Sequence, residues 1–172
     1  MRVSPSSPPW RRQQLADACA TRALGAALAL WLRPTGPGGL AAQAPMLLLQ
    51  GDLGSGKTCL VQGLAAALGI DEPITSPTFA LAQHYLPRGA DAAARPLVHL
   101  DLYRLEQAGA ADELLAQEEE SALELGAVLA VEWPERLSLP PSEAWWLELQ
   151  LLDGADPEAG RQALLWRPAK AR

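Results

Sequence analysis

Residues 51–58 constrain this chain most, because their sequence, GDLGSGKT, matches the Walker A pattern G-x-x-x-x-G-K-[ST] at every fixed position. The apolar run 46–49 precedes them and predicts a buried strand, and the helical pattern 59–68 follows and ends at Gly69. A strand, a glycine-rich turn and a helix in this order distinguish a phosphate-binding loop from a chance glycine-rich turn. The segment therefore predicts nucleotide-phosphate binding.

The chemistry of this loop follows from its backbone. Glycines allow successive N–H groups to point at phosphate oxygens, and the start of the helix adds partial positive charge. Lys57 is expected to reach the β- and γ-phosphates, and the Thr58 hydroxyl is expected to bind Mg²⁺. The residues predicted to hold phosphates in this loop are Gly51, Gly54, Ser55, Gly56, Lys57 and Thr58.

The order of apolar and helical patterns predicts a three-layer α/β P-loop fold with a mostly parallel sheet. Segments 145–152 and 163–166 predict an antiparallel C-terminal hairpin on the sheet edge. A chain of 172 residues suits one domain, which we place at residues 11–167. The proline- and serine-rich residues 1–10 predict a disordered tail, and residues 168–172 a frayed one. Helical spacing of small and apolar residues predicts a long first helix over 11–32.

The composition limits the possible partners. The formal net charge of −6 argues against autonomous nucleic-acid binding, which needs a basic face. The longest apolar stretch near the start is too short to span a membrane, and the first ten residues lack the apolar core of a signal peptide. We therefore expect a cytoplasmic protein with no membrane contact. The only cysteines, Cys19 and Cys59, have no metal-type spacing and are expected to be buried free thiols rather than a disulfide.

Two acidic residues end apolar strand patterns downstream of the loop. Asp101 ends the run 97–101, and Glu132 ends the run 127–132 as a Walker B acid does. Carboxylates at the carboxyl ends of strands lie where α/β sheets bind ligands, and a Walker B acid serves Mg²⁺. Either acid alone could be a solvated strand end. His99, inside the first run, is predicted to be a hydrogen-bonded core or rim histidine rather than a base.

The segment 74–79 carries the hydroxyls of Ser76 and Thr78 on either side of a proline. Such a loop could face the γ-phosphate as the switch loops of GTPases do. Judged by composition alone, an ordinary polar turn before a strand is the favoured interpretation.

The chain contains no asparagine, so the guanine-binding N-K-x-D motif is impossible and adenine is the expected base. Three functions remain open at this point. The protein could hydrolyse ATP, it could be a small-molecule kinase that transfers the γ-phosphate to an acceptor, or it could be a binding module that uses ATP as a conformational ligand with little hydrolysis.

Five blocks of sequence together resemble the bacterial TsaE (YjeE) family. They occur in the family's order and cover nearly the whole chain. The combination is specific, whereas Walker A alone is shared by a large superfamily. The blocks are TRALGAALA at 21–29, GDLGSGKT at 51–58, SPTF at 76–79, HLDLYRL at 99–105 and VEWPERL at 131–137.

The resemblance implies an ATPase component of the machinery that installs threonylcarbamoyl on N6 of adenosine 37 in tRNA. It implies a TsaD-type transferase and a TsaB-type protein as partners, with tRNA contacted only through the complex. ATP and Mg²⁺ are the implied ligands, with weak, partner-dependent hydrolysis. The resemblance also reverses the interpretation of segment 74–79, which becomes functional.

Roles carried over from the resemblance fall on matching positions. Lys57 and the backbone of residues 54–58 would hold phosphates, and Thr58 and Glu132 would serve Mg²⁺. Asp101 would lie beside the γ-phosphate, so the catalytic set is Lys57, Asp101 and Glu132. Nucleotide-binding positions beyond the loop glycines are Thr21 near adenine, Cys59, Ser76, Thr78 and Asp101. The family often has threonine where this chain has Cys59, but its backbone N–H can still bind the α-phosphate.

Overall fold

The computed structural model describes residues 5, 7–32, 43–89, 94–154 and 156–169. Within them the helices and strands alternate along most of the chain. In order they are β1 (Arg11–Leu15), α1 (Ala18–Leu28), β2 (Met46–Gly51), α2 (Lys57–Ala67), β3 (Ala82–Tyr85), β4 (Leu97–Asp101), α3 (Ala108–Leu125), β5 (Val128–Glu132), β6 (Trp145–Leu151) and β7 (Arg161–Trp166).

One seven-stranded sheet runs through the described residues in the order β1-β7-β6-β2-β5-β4-β3. Its four central strands, β6, β2, β5 and β4, are parallel, and β7, β1 and β3 pair antiparallel with their neighbours. Strands β2, β4 and β5 are buried at every position, as expected for parallel strands covered on both faces. The predicted three-layer fold with a mostly parallel sheet and a C-terminal hairpin is confirmed.

Alternating side chains of the sheet feed two separate cores. Leu47 and Leu49 of β2 point to the face covered by α1 and α2, whereas Leu48 points to the face covered by α3. This period of two is the geometry of any strand, and here both faces are apolar. The site described below lies at the carboxyl ends of β2, β4 and β5, where α2 begins.

Two glycines let α1 and α2 approach each other closely. A Cβ added to Gly25 would lie 2.0 Å from the carbonyl oxygen of Leu60, and one added to Gly63 would lie 1.9 Å from that of Arg22. Backbone of one helix therefore rests directly on backbone of the other. This contact fixes α1 against the helix that follows the Walker A loop.

The predicted helix over 11–32 is wrong at its start. Arg11–Leu15 forms β1 and pairs antiparallel with β7, and α1 begins only at Ala18. The side chain of Asp17 caps α1 by accepting the N–H of Ala20 at 2.8 Å. Residues 11–15 become a strand because they pair with the edge of β7, and the periodicity of the local sequence gives no sign of this partner. The predicted C-terminal hairpin is present, but β1 rather than the hairpin forms the edge of the sheet.

Two segments beside the site connect the 74–79 loop and β4 to the next elements. The strand after the 74–79 loop, β3, begins only at Ala82, because Leu81 has a positive φ of 67° and its N–H donates to the carbonyl of Pro77. The helix after β4, α3, begins at Ala108. Among the described residues, no helix is long and apolar enough to cross a membrane.

The predicted disordered tail, 1–10, falls partly outside the described residues, and so does the predicted frayed end, 168–172, of which residues 168 and 169 are described. The described part of the first tail lies against the sheet. The indole N–H of Trp166 donates to the carbonyl of Ser7 at 2.7 Å, and Trp10 packs edge-on against Trp31 and Trp145.

Candidate functional site

The Walker A segment connects the end of β2 at Gly51 to the start of α2 at Lys57. Gly56 is the N-cap residue of α2 and has a left-handed φ of 101°, which side chains adopt only under strain. A Cβ at this position would also lie 2.7 Å from Nη1 of Arg161 on β7. The loop therefore requires glycine here for two reasons, and it leaves the first N–H groups of α2 free of helical partners.

Lys57 is folded back onto its own loop. Its Nζ donates to the carbonyl oxygens of Gly51 at 2.7 Å and Asp52 at 3.1 Å, and it lies 4.1 Å from the centroid of the Trp133 ring. Only 5% of the residue is exposed. The ammonium group is thus partnered by two neutral carbonyls and one aromatic face.

Burial lowers the pKa of Lys57 below its ordinary value of 10.5. Nearby carboxylates oppose this shift, but removal of the ammonium group from water is the stronger effect. A buried cation of this kind gains from an anion that reaches it. The opposing carboxylates, in order of influence, belong to Glu132, Glu135, Asp101 and Asp52.

The two predicted strand-end acids lie side by side. Asp101 and Glu132 are register partners at the ends of β4 and β5, and both are nearly fully buried. One oxygen of Glu132, Oε1, accepts the hydroxyl of Thr58 at 2.9 Å and lies 2.9 Å from Nε2 of His99. The Walker A loop and the strand-end acid are therefore linked directly by a side-chain hydrogen bond.

The 74–79 segment is tied to the other acid. Asp101 Oδ2 accepts the hydroxyls of Ser76 at 2.7 Å and Thr78 at 2.5 Å, and Oδ1 accepts the N–H of Tyr103 at 3.0 Å. The two hydroxyl oxygens are themselves 2.6 Å apart. An ordinary polar turn would leave these hydroxyls to solvent, whereas here both converge on one carboxylate.

These groups surround one cavity of about 330 Å³. Trp133 closes one side with its ring 4.8 Å from that of Tyr103. The backbone of Trp133 has a positive φ of 63°, which is uncommon for a bulky residue and is a form of strain that concentrates at functional sites. The lining residues are Leu53, Gly54, Gly56, Lys57, Thr58, Cys59, Ser76, Thr78, Asp101, Tyr103, Glu132 and Trp133.

Three predicted nucleotide-binding residues do not line this cavity: Thr21, Gly51 and Ser55. Thr21 is fully buried beside Gly56, where its hydroxyl donates to the carbonyl of Asp17 at 2.8 Å and lies 3.4 Å from Nη1 of Arg161. Cys59 lines the cavity, and its thiol donates to a carbonyl of α1. Cys19 and Cys59 are both free, but the prediction that they are buried is wrong: Cys19, in the first turns of α1, is exposed and Cys59 is half-buried.

Three side chains contribute contacts that the sequence does not predict. Trp133 belongs to the sequence block 131–137, but its contact with Lys57 depends on an unusual backbone angle. Arg161 comes from β7, more than a hundred residues from the loop it touches. The contact of His99 with Glu132 could have been anticipated. His99 lies two residues before Asp101 at the end of β4, so the two side chains share a face of the sheet. Glu132 is the register partner of Asp101 and lies on the same face.

Oxygen donors in the cavity fit Mg²⁺. Thr58 and Glu132 present a hydroxyl and a carboxylate within hydrogen-bonding distance of each other. The described residues contain no group of three or more His, Cys, Asp or Glu side chains that could hold a metal alone. Mg²⁺ is usually held by one or two protein oxygens together with water and substrate phosphates, so this small donor set suits it.

The fold and site define the class of this protein. A parallel sheet with a Walker A loop between a buried strand and its helix, and acids at the ends of two neighbouring strands, is the arrangement of P-loop proteins. Bacillus subtilis YdiB has a related crystal structure, with a TM-score of 0.61, 21% sequence identity, and coverage of 92% of this chain and 86% of that one. At this identity the similarity supports the fold.

The chain belongs to the TsaE family. The family model described as "Threonylcarbamoyl adenosine biosynthesis protein TsaE" matches residues 15–161, which confirms the resemblance seen in the sequence. Relatives named "tRNA threonylcarbamoyladenosine biosynthesis protein TsaE" include one from Nostoc sp., 46% identical over 101 residues, and one from Synechocystis sp., 47% identical over 110 residues. These matches cover 56% and 60% of this chain, and 57% and 65% of the two relatives.

Proposed function

We propose that this protein binds ATP with Mg²⁺ and hydrolyses it slowly as a component of tRNA threonylcarbamoyladenosine formation. The observation that carries the proposal is the convergence of Lys57, the Thr58–Glu132 pair and Asp101 on one cavity at the carboxyl ends of β2, β5 and β4. Three segments distant in sequence supply the groups that phosphoryl transfer needs: hydrogen-bond donors to the phosphate oxygens, ligands for the metal, and a carboxylate that orients the attacking water.

We expect Lys57 to change partners when phosphate binds. Its ammonium group donates to the carbonyl oxygens of Gly51 and Asp52, and phosphate oxygens would replace them. An anion compensates the buried charge better than neutral carbonyls do. The backbone N–H groups of 54–58 would hold the remaining phosphate oxygens at the start of α2.

Thr58 and Glu132 are the residues that would hold Mg²⁺, through the hydroxyl and the carboxylate that now contact each other. When bound, Mg²⁺ supplies charge neutralisation for the transferring phosphoryl group. Asp101 would accept a hydrogen bond from the attacking water. Its Oδ2 is occupied by Ser76 and Thr78, so part of this network must open or admit the water.

Family membership supports a role in tRNA threonylcarbamoyladenosine formation, and a TsaD-type transferase with a TsaB-type protein are the partners proposed. The net charge of −6 agrees with tRNA contact through partners rather than directly. Thr21, beside the Walker A turn, is proposed to lie near the adenine base.

A second function is favoured by one observation. The tether of Ser76 and Thr78 to Asp101 links the loop to the site, so nucleotide binding could reorder the loop and recruit a partner without turnover. This ATP-dependent binding module shares the first step with the proposed enzyme. The two differ in whether phosphate is released.

Thermal unfolding with nucleotides tests the binding step. A ligand at about 100 times its Kd stabilises a protein by about 2.7 kcal/mol, which corresponds to a rise in Tm of about 5–10 °C at this size. We expect this rise with MgATP, a smaller one with MgGTP, and none with MgATP in Lys57→Ala. Arg88→Ala, which removes an exposed cation, is the control and should respond like wild type. Equal responses of wild type and Lys57→Ala would contradict the site.

A further inference from the structure

His99 is a fully buried residue of β4 to which the proposed reaction gives no role. Its Nε2 lies 2.9 Å from Oε1 of Glu132, which ends the neighbouring strand β5. Its other ring nitrogen, Nδ1, is buried and has no hydrogen-bond partner among the residues that the structure describes. The ring thus contacts the site through a single polar atom, directed at the carboxylate.

The contact defines which nitrogen carries the proton. An ionised carboxylate only accepts hydrogen bonds, so two lone pairs would face each other at 2.9 Å if Nε2 were bare. A proton on Nε2 turns this repulsion into a hydrogen bond. The buried Nδ1 then carries a lone pair, which leaves no N–H without a partner. His99 is therefore assigned as a donor to Glu132 Oε1.

The same oxygen also accepts the hydroxyl of Thr58 at 2.9 Å. If Thr58 and Glu132 hold Mg²⁺ as proposed, the Thr58 hydroxyl would serve the metal, and its hydrogen bond to Glu132 would be free to change. His99 lies on the rigid, fully buried β4 and has no competing partner among the described residues. It is the donor that can hold the carboxylate in one rotamer throughout.

We propose that His99 is a positioning residue that fixes the Glu132 carboxylate for Mg²⁺ binding. The inference rests on the proposed function, because it takes the metal role of Glu132 from there. Hydrogen-bonding partners behind a metal-binding side chain typically contribute 10–100-fold to metal affinity or activity. The competing explanation is that His99 only joins β4 to β5, in which case its loss lowers stability without a specific effect on Mg²⁺.

Three variants separate these explanations. In His99→Gln, the amide nitrogen can reach the place of Nε2, so the hydrogen bond is kept. The side chain of asparagine is one methylene shorter than that of glutamine, so in His99→Asn the amide lies near the position of Nδ1, out of reach of Glu132. His99→Leu fills the space without any donor. The Gln and Asn variants are a matched pair, since both bury one amide in the same strand.

Calorimetry with a non-hydrolysable ATP analogue supplies the readout. The ratio of its Kd in EDTA to its Kd in Mg²⁺ measures the metal's contribution to binding, independently of turnover. We expect this ratio to fall about 10-fold or more in His99→Asn and His99→Leu, and to stay within about 3-fold of wild type in His99→Gln. The Kd in EDTA should be similar in all four proteins.

An unchanged ratio in the folded Asn and Leu variants, with a lowered Tm, would overturn the inference and leave the proposed function intact. A wild-type protein that binds the analogue equally with and without Mg²⁺ would overturn the metal role of Glu132 and the inference with it. The ¹⁵N chemical shifts of the wild-type imidazole give a test that needs no variant. We expect the Nε2–H tautomer, and the Nδ1–H tautomer would contradict the assignment.

Discussion

Among the single residues of the site, Lys57 has a charge that burial disfavours and nearby carboxylates favour. Its ammonium group is buried with two carbonyls and an indole face as immediate partners, and its pKa is lowered because desolvation outweighs the surrounding carboxylates. The buried charge therefore lowers the stability of the protein, and the anion proposed to bind there would compensate it. Such opposition between stability and activity is common at functional sites.

Replacement of this lysine should separate the two properties. Lys57→Met keeps most of the side-chain volume and removes the ammonium group, whose burial costs free energy that the surrounding carboxylates do not fully offset. We expect the ligand-free Tm to equal or exceed that of wild type, while the increase in Tm with MgATP is lost. Differential scanning calorimetry measures both. A markedly lower ligand-free Tm would show that the lysine's contacts outweigh its desolvation.

Glu135 makes the stability of the protein depend on pH. Burial raises its pKa above the ordinary 4.5, although its backbone hydrogen bond and the charges of Lys57 and Arg136 act in the opposite direction. Its Oε2 has no hydrogen-bond partner in the described part of the chain. Since the folded pKa lies above the unfolded one, the folded state binds the proton more tightly. This stabilisation is complete below pH 4.5 and is lost as the pH rises through the folded pKa.

Glu135→Gln should remove this dependence, because glutamine resembles the protonated acid at every pH. We expect the variant to gain unfolding free energy relative to wild type as the pH rises above 4.5. Urea unfolding across pH 4–8 measures the difference. A constant difference between the two proteins over this range would contradict the shifted pKa.

Much of the candidate site could be predicted at the residue scale. The Walker A sequence specifies its own backbone, and Asp101 and Glu132 end apolar runs, so their place at the carboxyl edge of the sheet follows from strand order. The links between them depend on packing. The hydrogen bond from His99 to Glu132 follows from the sequence only once β4 and β5 are known to be neighbours. The indole of Trp133 over Lys57 leaves no mark in local sequence, and it needs a left-handed residue that only tertiary structure supports.

At the scale of the elements, the packing of α1 on α2 can be tested by one substitution, for which helix propensity and close packing predict opposite changes in stability. Glycine in a helix interior costs roughly 0.5–1 kcal/mol relative to alanine, so Gly63→Ala should stabilise the protein if propensity decides. The Cβ of that alanine would lie 1.9 Å from the carbonyl of Arg22, which predicts a loss of about 1–3 kcal/mol instead. Gly109→Ala in α3 is the control, because nothing lies within 4 Å of its added Cβ.

Chemical denaturation measures both variants. We expect Gly109→Ala to be neutral or slightly stabilising and Gly63→Ala to be destabilising. A stabilised Gly63→Ala protein would mean that the two helices separate without cost, and the close approach would lose its structural importance.

The loop of residues 76–78 is the element whose hydroxyl groups contact Asp101 at the site. Thr78→Val removes one of the two hydroxyls on Asp101 and keeps the side-chain shape, whereas Thr78→Ser keeps the hydroxyl. We expect Thr78→Val to lower phosphate release by about tenfold, since a hydrogen bond to a charged group is worth about 1.5 kcal/mol or more, with ATP affinity changed less than about threefold. Thr78→Ser should retain most activity. Equal rates in the two variants would remove the loop from the mechanism.

Elements were predictable where their pattern is local. β2, α2, β4 and β5 follow apolar runs and end at glycines or acids. β1 was missed because its five residues gain their conformation from pairing with β7, and a polar, arginine-rich segment has no alternation strong enough to specify a strand. The 74–79 loop shows the same limit, since its hydroxyls acquire a partner only when β4 brings Asp101 beside them.

For the whole molecule, a single sheet brings segments from three parts of the chain to one edge. The Walker A loop, the 74–79 loop and the two acids meet there, while Arg161 supports the loop from β7 at the far end of the sequence. The edge also carries Leu53 and Phe79, whose side chains are largely exposed, with the guanidinium of Arg104 4.0 Å from the Phe79 ring. If the site binds nucleotide as proposed, these exposed side chains are the surface nearest to the bound phosphates.

The measurement that tests the central claim most directly is phosphate release from MgATP by the purified protein, alone and with TsaD- and TsaB-type partners. We predict slow release alone, clear stimulation by the partners, and no release in either condition for Lys57→Ala. Tight ATP binding with equally negligible release in both conditions would contradict hydrolysis and favour the binding module. Transfer of the γ-phosphate to a metabolite instead of water would identify a kinase.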